Sequence, residues 1–570
     1  MANEKNMNPV FSIKNFRSFG EEGADFELAP ITVLTGCNSA GKSSLVKALL
    51  LLAKQSEKIP SETTAQYFFE NTQTPLLRKK DVLEVAHPDF TLGRFENVLH
   101  NNATDTVEMS YIVHSRYLKE NVRVSKVFKV QEKDIVGNAR CVSYRIEAED
   151  SSTTYYSEWE NDGVYDSYTN EKALSEKLQQ FEESYKQYRN DNDVEDLEED
   201  ECRITKFPLI PNDLEEQVRA WDILQKVLID RELSKNKEKV GNDWIEKLRR
   251  ARIGGNKKEE IEKVIGEVSE DATYGEVFDK IIQKYPHKSW DYEILKDFIS
   301  AIPQSLAELL SPLNVFAFLV YAEVEYPRFL RGTCYINSDS VKVSRFYSIY
   351  GEDKMSAALR DRYEKHLNQN QTGWDEEEET YIDKWIKRFG IGDKVVIERV
   401  NVDSVITLNL KTGDKKRQLA DEGYGISRLV SFLFNIENHI PLNPDGPGGT
   451  YLPKYICVEE PEAHLHPKFQ SMLAKVFVEA YKTYNIRFII ETHSEYLIRK
   501  LQLMVAGKER GLTAKEVSVN YIEKNDEGSA SNRKIDILED GRLSEPFGPG
   551  FFDEASGLSM HLLKMKIDSK

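Results

Sequence analysis

A glycine-rich segment near the start of the chain ends in a lysine and a serine, a combination suited to binding phosphate. The segment matches the pattern GxxxxGK[ST] and reads Gly36-Cys37-Asn38-Ser39-Ala40-Gly41-Lys42-Ser43. In such a loop the glycines let backbone N–H groups close around phosphate oxygens, the lysine reaches the terminal phosphates, and the serine hydroxyl binds Mg²⁺. We therefore predict a nucleoside triphosphate site in which Lys42 and Ser43 contact the phosphates and the metal ion.

The residues around this loop fit the local structure that a phosphate-binding loop requires. An apolar run over 31–34 predicts a buried strand before the loop, and residues 44–55 predict a helix after it. The predicted contacts with ATP come from the loop and the first helical turn, at Gly36, Asn38, Ser39, Ala40, Gly41, Lys42, Ser43 and Ser44.

Two adjacent glutamates near the other end of the chain supply the acidic groups that such a site needs. Residues 455–458 predict a buried strand, and Glu459 and Glu460 follow at its carboxyl end, where open α/β sheets place their ligands. We expect Glu459 to hold Mg²⁺ through water and Glu460 to polarise the water that attacks the γ-phosphate. Glu462, two residues further on, is expected to face solvent.

A histidine at the end of the next predicted strand completes the candidate site. Apolar residues recurring on one face predict a helix over 468–482, and a strand follows over 486–490. That strand ends in Glu491-Thr492-His493, so His493 is well placed to sense the γ-phosphate. The predicted catalytic residues are thus Glu460 and His493.

These motifs resemble those of the ABC-type AAA ATPases of the SMC/RecF/OLD group, in which EEPExHLHP precedes a [TS]HS segment. The resemblance covers two segments, residues 9–58 and about 417–500. It implies that the glycine-rich loop is Walker A, that Glu459 is the Walker B acid and that Glu460 is the catalytic carboxylate. It also implies that residues 463–467 form the D-loop and that His493 is the switch histidine.

Two further segments resemble family elements that contact nucleotide. Residues 15–19 resemble the opening strand, whose arginine, here Arg17, approaches the nucleotide; a surface arginine is the alternative. Residues 419–429 occupy the place of the ABC signature and depart from LSGGQ, yet they keep Gly425 and Ser427 at a predicted helix start. In the family this element binds the γ-phosphate of ATP held by the other protomer, which implies a homodimer or higher oligomer. A plain helix N-cap is the alternative.

Competing interpretations of the other motifs stay open as well. The paired glutamates also fit a degenerate site that binds ATP without hydrolysing it. His464 and His466 lie two residues apart on a predicted loop without further ligands, so D-loop structure is favoured over a metal site. OLD-type relatives carry a TOPRIM nuclease after the switch histidine, but only 77 residues follow His493 and they show no comparable set of acids. A complete TOPRIM domain is therefore not expected.

The two halves of the predicted ATP site enclose a long insertion. We predict an α/β fold, a P-loop ABC-type ATPase lobe with a mixed sheet, interrupted by a large insertion that is first β and then mainly α-helical. Residues 1–170 would form the N-terminal part of the ATPase domain, with Walker A and an antiparallel sheet, because residues 105–160 alternate as strands do. Residues 171–313 would form a helical lobe without sustained heptads. Residues 314–570 would carry the signature, Walker B, D-loop and switch histidine.

The composition indicates a soluble cytoplasmic protein. No run of about 18 apolar residues and no secretory segment is found, so no membrane association is expected. The five cysteines lack CxxC spacing, which disfavours a zinc site and a disulfide framework. The net charge of −19 opposes indiscriminate binding to DNA. A basic cluster within residues 247–258 would allow local contact with nucleic acid, although a solvated helix face is favoured.

The overall architecture most resembles the Septu-type PtuA subunit of bacterial antiphage systems, including those linked to retrons. This resemblance implies a regulatory ATPase that uses ATP and Mg²⁺ and associates with a separate HNH-type nuclease. In some systems it also implies a reverse transcriptase and its DNA product as partners. The alternative is a RecF/SMC-like repair ATPase that acts directly on DNA. A nuclease gene beside this one would favour the first interpretation, and strong stimulation of hydrolysis by DNA alone would favour the second.

Overall fold

The computed structural model describes most of the two predicted ATPase segments and little of the insertion between them. The described residues are 8–57, 82–87, 89–100, 105–130, 138–149, 154–160, 163–169, 171–192, 273, 276, 320, 324, 329–330, 333–337, 344–348, 350–351, 356, 359, 380–399, 405–440, 454–525, 528–548 and 551–568. The basic cluster at 247–258 and most of the helical lobe predicted for 171–313 lie outside these residues.

Strands and helices are numbered here in chain order. The strands are β1 (Val10–Lys14), β2 (Ala24–Glu27), β3 (Ile31–Gly36), β4 (Val82–Leu83), β5 (Ala86–His87), β6 (Phe90–Thr91), β7 (Thr106–Ser115), β8 (Glu120–Val130), β9 (Ala139–Ala148), β10 (Thr154–Glu160), β11 (Gly163–Thr169), β12 (Cys334–Ile336), β13 (Tyr347–Ser348), β14 (Lys394–Arg399), β15 (Val405–Thr412), β16 (Lys415–Gln418), β17 (Lys454–Glu459), β18 (Ile486–Glu491), β19 (Val517–Lys524) and β20 (Ala530–Ile535). The helices are α1 (Lys42–Glu57), α2 (Glu171–Asn192), α3 (Tyr381–Phe389), α4 (Tyr424–Asn438), α5 (Pro467–Tyr484), α6 (Glu495–Ala506) and α7 (Glu554–Asp568).

A six-stranded sheet carries both halves of the predicted ATP site. Its order is β12-β17-β18-β3-β19-β20, and all neighbours are parallel except β19 and β20. Strand β3 is buried along its whole length, as expected for a parallel strand covered on both faces. The mixed sheet and its helices confirm the predicted α/β fold, while the insertion in that prediction stays a prediction.

Two capped helices follow the strands that end in acidic residues. Helix α5 begins at Pro467, a residue well suited to the first turn of a helix, and the ring of His466 accepts a hydrogen bond from the Lys468 N–H at 3.3 Å. Helix α6 begins after Ser494, whose hydroxyl accepts from the Leu497 N–H at 3.2 Å. These caps fix the two strand-to-helix turns at the carboxyl edge of the sheet.

A long antiparallel sheet joins the ATP-site sheet at its edge. Its order is β11-β10-β9-β8-β7-β1-β2, with β4 added on β9, and its longer strands fall in the segment that alternates in sequence. The Ala530 N–H donates to the carbonyl of Ser18 at 2.6 Å, and the Asn532 amide donates to the carbonyl of Asp25 at 2.7 Å. These bonds hold the turn between β1 and β2 against β20.

A third sheet leads the chain back to the ATP site. Its order is β13-β15-β14, with β16 paired to β15, and α3 packs on it with Trp385 fully inside the core. From β16 the chain passes through a 3₁₀ turn, Leu419–Asp421, directly into α4. In the part of the chain that the structure describes, no helix is long and apolar enough to cross a membrane.

Candidate functional site

The turn between β3 and α1 is built around two glycines in the left-handed region. Gly36 has a φ of 129° and Gly41 a φ of 115°. A Cβ at Gly36 would lie 2.0 Å from the carbonyl oxygen of Ile522, and one at Gly41 would lie 3.0 Å from the Cβ of Ser18. Both positions therefore require glycine, and the loop is packed between β19 and the turn that carries Arg17.

Lys42 is buried, and its ammonium group lies across the loop. Nζ donates to the carbonyl of Gly36 at 3.2 Å and to that of Cys37 at 2.7 Å. Burial lowers the pKa of Lys42, while the nearby charge of Glu491 acts in the opposite direction. The ammonium is thus held by neutral carbonyl groups, which a phosphate group can replace as its partners.

The remaining loop residues form an end rich in backbone donors. Asn38 and Ser39 are exposed, and Ser39 has a φ of 58°. The Ala40 N–H donates to the Cys37 carbonyl at 3.3 Å, and the Ser44 N–H donates to the Gly41 carbonyl at 3.0 Å. Because the first N–H groups of a helix lack intrahelical partners, this end of α1 is suited to an anion.

Strand order brings two carboxylates to the same edge as the loop. Glu459 at the end of β17 is in register with Glu491 at the end of β18, and Glu491 is in register with Leu34 of β3. The Ser43 hydroxyl donates to Glu491 Oε1 at 3.0 Å. Glu491, to which sequence reasoning gave no role, therefore lies between the two predicted metal ligands, Ser43 and Glu459.

Glu460 is exposed on the turn that follows β17. Its φ is 43°, a conformation that costs a non-glycine residue about 1 kcal/mol or more. Its N–H donates to the Glu491 carbonyl at 2.8 Å, and its carbonyl accepts from Arg428 Nη2 at 2.9 Å. The turn is therefore fixed from two sides, and the Glu460 carboxylate is presented at the edge of the sheet.

The charges at this edge favour a cation. Burial, and next the charge of Glu459, raise the pKa of Glu491 to about 7, although Ser43 and Lys42 act to lower it. Tyr335 on β12 hydrogen-bonds to Glu459, and burial raises the pKa of its phenol. Mg²⁺ is commonly bound by one or two side-chain oxygens together with phosphates. The hydroxyl and carboxylates present here are oxygen donors of the kind that Mg²⁺ prefers.

Glu462 is buried, so the expectation that it faces solvent is wrong. The residue is 7% exposed, and its Oε1 accepts from the His493 backbone N–H at 2.7 Å. Burial raises the pKa of this carboxyl group, and hydrogen bonds from Thr492 and His493 oppose the increase. Because Glu462 follows the turn at Glu460, it ties that turn to the end of β18.

His493 lies next to this carboxylate with an exposed side chain. Desolvation, and then the positive charge of Lys42, lower the pKa of the imidazole, while Glu460 raises it. The ring is therefore mostly neutral at pH 7 and sits in the field of both Lys42 and Glu460. This is a suitable place for a group that contacts the terminal phosphate.

The predicted signature segment forms the start of α4 and lies against the predicted D-loop. A Cβ at Gly425 would lie 2.3 Å from the carbonyl oxygen of His464, so a side chain cannot be accommodated there. The ring of Tyr424 meets that of His464 edge to face, with centroids 4.9 Å apart, and is 54% exposed. The helix start and the D-loop thus form one surface.

Ser427 of the predicted signature segment lies inside α4, close to the start of the helix. Its side chain is buried, and its hydroxyl donates to the carbonyl of Leu419 at 2.8 Å. The helix begins at Tyr424, so Ser427 lies nearly one turn inside it and points into its own chain. That this element binds nucleotide held by another protomer stays a prediction, and in this structure the Ser427 hydroxyl is bonded within its own chain.

Arg17 lies on an exposed turn beside the phosphate-binding loop. Its φ is 51°, its N–H donates to the Val98 carbonyl at 2.7 Å, and its own carbonyl lies 2.6 Å from His100 Nδ1. The neighbouring Ser18 is the residue that approaches Gly41. The backbone is thus held next to the loop, with the guanidinium group left to solvent.

The two histidines of the D-loop have structural contacts. His466 caps α5, and His464, with a φ of 63°, packs on Tyr424. Among the described residues no group of three or more His, Cys, Asp or Glu side chains is arranged to hold a metal ion. D-loop structure remains the interpretation of this pair.

Three residues of the site carried too weak a signal in the sequence. Glu491 is the last residue of a predicted buried strand, which indicates the edge of the sheet. Its contact with Ser43, however, depends on strand order, which the sequence does not show. Glu462 is part of the recognised EEPE segment, yet its burial depends on how the turn folds back. Arg428 had no signal at all, because an arginine inside a helix is most often exposed.

Comparisons with known proteins agree with a nucleotide site. A family model described as AAA ATPase domain matches residues 10–498, and one described as a protein of unknown function (DUF3696) matches residues 512–562. No curated protein matches the sequence significantly.

Solved structures of SMC heads are similar at a low level. The Smc head domain with an extended coiled coil bound to the C-terminal domain of ScpA, derived from Pyrococcus furiosus, is 12% identical, with 93% of this chain and 96% of that chain covered and a TM-score of 0.32. The SMC head domain from Thermotoga maritima is 8% identical, with 93% and 98% covered and a TM-score of 0.31. TM-scores this low do not bear on fold or function.

Proposed function

We propose that this chain, which belongs to the AAA ATPase domain family, binds Mg²⁺-ATP at the carboxyl edge of its parallel sheet and hydrolyses it to switch a dimer between two states. The observation that carries the proposal is the bond between Ser43 and Glu491. It joins residues 448 apart in sequence and places the phosphate-binding loop beside the acidic strand ends. A phosphate-binding loop beside acids that can bind Mg²⁺ and polarise water is what ATP hydrolysis needs.

Each side chain then has a task that follows from its position. Lys42 exchanges its carbonyl partners for terminal phosphate oxygens, and the free N–H groups at the start of α1 bind the same phosphates. Ser43 and Glu459 are the predicted Mg²⁺ ligands, and the ion, when bound, offsets phosphate charge. Glu460, exposed on its fixed turn, polarises the attacking water, and His493 contacts the γ-phosphate.

The contact of Glu462 with His493 supports a switching role. It connects the residue beside the terminal phosphate to the turn that leads into the D-loop, where His464 meets the exposed start of α4. A change at the phosphate would pass through the bond of the buried Glu462 carboxylate to the His493 backbone and then through the exposed contact of His464 with Tyr424. We propose that the same surface packs against a second copy, with the backbone N–H groups near Gly425 toward the partner's nucleotide.

The biological role that we propose is regulatory. By its resemblance to Septu-type subunits, the dimer would restrain or position a separate HNH-type nuclease in antiphage defence. ATP shifts the equilibrium between the two dimer states by as much as its affinity for them differs. A partner that binds only one state then binds more or less often as the population of that state changes. A reverse transcriptase and its DNA product would join the complex in retron-linked systems.

Two variants test the ATPase and the dimer. Lys42→Ala should lose ATP binding by at least about 100-fold, because its ammonium group is the predicted phosphate contact. Glu460→Gln should bind ATP, lose hydrolysis by about 100-fold or more and accumulate as an ATP-bound dimer. Light scattering after gel filtration, with and without ATP, measures the dimer. Hydrolysis at the wild-type rate by Glu460→Gln would remove that residue from the catalytic role.

The regulatory role needs a partner measurement. The tagged protein should be purified from its native locus, and the cutting activity of any stoichiometric nuclease should be measured with wild type and with Glu460→Gln. Cutting that depends on the ATP state supports the proposal. ATP hydrolysis that is strongly stimulated by DNA alone, without a partner, would instead support a repair ATPase.

A further inference from the structure

Glu491 is a buried carboxylate at this edge with a single hydrogen-bond donor, Ser43, in the described contacts. It is the last residue of β18 and only 6% of it is exposed. Oε1 accepts from the Ser43 hydroxyl, whereas Oε2 is buried without a hydrogen-bond partner among the described residues. A buried carboxylate oxygen that lacks a donor is costly, so a partner that arrives with the ligand is the expected explanation.

Strand order makes Glu491 the acid nearest to the phosphate-binding loop. Strand β18 lies between β3 and β17, and neighbouring strands are about 4.8 Å apart. The backbone of Glu491 is thus one strand from β3, and that of Glu459 is two strands away. This is why the Ser43 hydroxyl contacts Glu491 in the structure.

The chemistry of a serine hydroxyl gives this contact a function. A hydroxyl has one proton and two lone pairs, so a proton donated to Glu491 turns the lone pairs of Ser43 away from that carboxylate. Partners of this kind orient metal ligands, and their loss typically weakens metal affinity about 10- to 100-fold. The free Oε2 is available to accept a proton from a water molecule of the ion.

We infer that Glu491 is a positioning residue of the Mg²⁺ site, which orients the Ser43 hydroxyl and accepts a hydrogen bond from a water bound to the ion. The inference rests on the proposed binding of Mg²⁺-ATP. It extends the predicted metal site, Ser43 and Glu459, to an acid on the neighbouring strand. A carboxylate with only a packing role would affect stability but not metal affinity.

Metal affinity measured without turnover tests the inference. The probe is Mn²⁺, followed by electron paramagnetic resonance, with the full-length protein saturated with a non-hydrolysable ATP analogue. Glu491→Gln and Glu491→Ala should each weaken Mn²⁺ binding about 10- to 100-fold. Binding of the analogue in EDTA should stay within about twofold of wild type, because the metal is then absent.

Matched variants make the outcomes distinct. Ser43→Ala should weaken Mn²⁺ binding as a positive control. Glu495→Gln changes a partly exposed acid of the following helix that pairs with Arg499, and it should leave Mn²⁺ binding unchanged. If Glu491→Ala does not fold, Glu491→Asp takes its place, and its shorter carboxylate should weaken Mn²⁺ binding about 10-fold.

Two results would overturn the inference in different ways. Mn²⁺ binding within twofold of wild type in the folded Glu491 variants would show that Glu491 only packs, and would leave the proposed function standing. Failure of the wild-type protein to bind the analogue at any metal concentration would remove the proposed function, and the inference with it.

Discussion

Two buried glutamates near the ATP-site sheet have opposite environments. Glu479 on α5 is 2% exposed and is surrounded by three cations, with Lys384 at 2.9 Å and Arg388 and Arg510 each at 2.6 Å. Glu491 at the end of β18 is 6% exposed and has a serine hydroxyl as its hydrogen-bond donor. The fold gives the carboxylate of Glu479 enough hydrogen-bond donors and positive charge, whereas it leaves that of Glu491 with a single neutral donor among the described contacts.

The pKa values of the two carboxyl groups record the difference. For Glu479, burial alone would raise the pKa, but the hydrogen bonds and charges of its cations outweigh burial and lower it. For Glu491, burial and the charge of Glu459 prevail and raise the pKa to about 7. Unsatisfied charge of this kind is typical of sites that bind a ligand, whereas satisfied charge holds helices together.

Removing the satisfied carboxylate should have the largest effect on stability. Glu479→Ala leaves three neighbouring cations without their shared partner, and breaking a buried ion pair costs about 3–5 kcal/mol. We expect the lower end of that range, because the cations are partly exposed and can turn to water. Denaturant unfolding at pH 7 measures the loss.

A matched acid and a pH series check this prediction. Glu509 is an acid with two lysine partners and substantial exposure. Glu509→Ala should therefore lower the free energy of unfolding by less than about 1 kcal/mol. Because the folded pKa of Glu479 is lowered, its contribution is present above its ordinary value and is lost as the pH falls through the folded value. If Glu479→Ala and Glu509→Ala lost the same free energy of unfolding, the buried position of Glu479 would not matter for stability.

Removing the unsatisfied charge should stabilise the protein instead. A carboxyl group whose folded pKa is raised from 4.5 to about 7 binds its proton more tightly in the folded state, so stability falls as the pH rises between these values. The difference corresponds to about 3 kcal/mol at most. Glu491→Gln cannot ionise and should be more stable than wild type by about 2–3 kcal/mol at pH 8.

The measurement is the free energy of unfolding of wild type and Glu491→Gln at pH 5 and pH 8, without nucleotide or metal. Subtracting the two proteins at each pH removes the contribution of all other titrating groups. The difference in unfolding free energy between Glu491→Gln and wild type should increase from pH 5 to pH 8. The same difference at both values would show that Glu491 does not titrate between them.

The contrast between these glutamates also shows how far sequence reasoning reaches. The spacing of Gly36, Lys42 and Ser43, and the acids Glu459 and Glu460 after an apolar run, predicted a nucleotide site at the edge of a mixed sheet. Motifs of this kind are local, and parallel strands bring their carboxyl ends together. The α/β fold was predictable for the same reason.

The contacts that the sequence did not predict depend on strand order and turn conformation, which local sequence does not determine. The order of β17 and β18 along the chain does not reveal that β18 lies beside β3, so the contact of Ser43 with Glu491 was not foreseen. The positive φ of Glu460 turns Glu462 inward, against the expectation of exposure. The bond of the Ser427 hydroxyl to the Leu419 carbonyl joins α4 to the preceding 3₁₀ turn, and nothing in the local sequence indicates that contact.

The environment of Glu462 is intermediate between those of Glu479 and Glu491, and its substitution should have the smallest effect on the free energy of unfolding. It is 7% exposed and accepts from the His493 N–H, yet burial still raises its pKa and Oε2 lacks a partner among the described residues. Glu462→Ala leaves that N–H without its acceptor, which costs about 1–2 kcal/mol in unfolding free energy. Glu462→Gln keeps an acceptor oxygen and should stay within about 1 kcal/mol of wild type at pH 7. If the alanine variant matches the glutamine variant in stability, the carboxylate does not hold the His493 turn, and Glu462 belongs with Glu491 as a charge that the fold leaves unsatisfied.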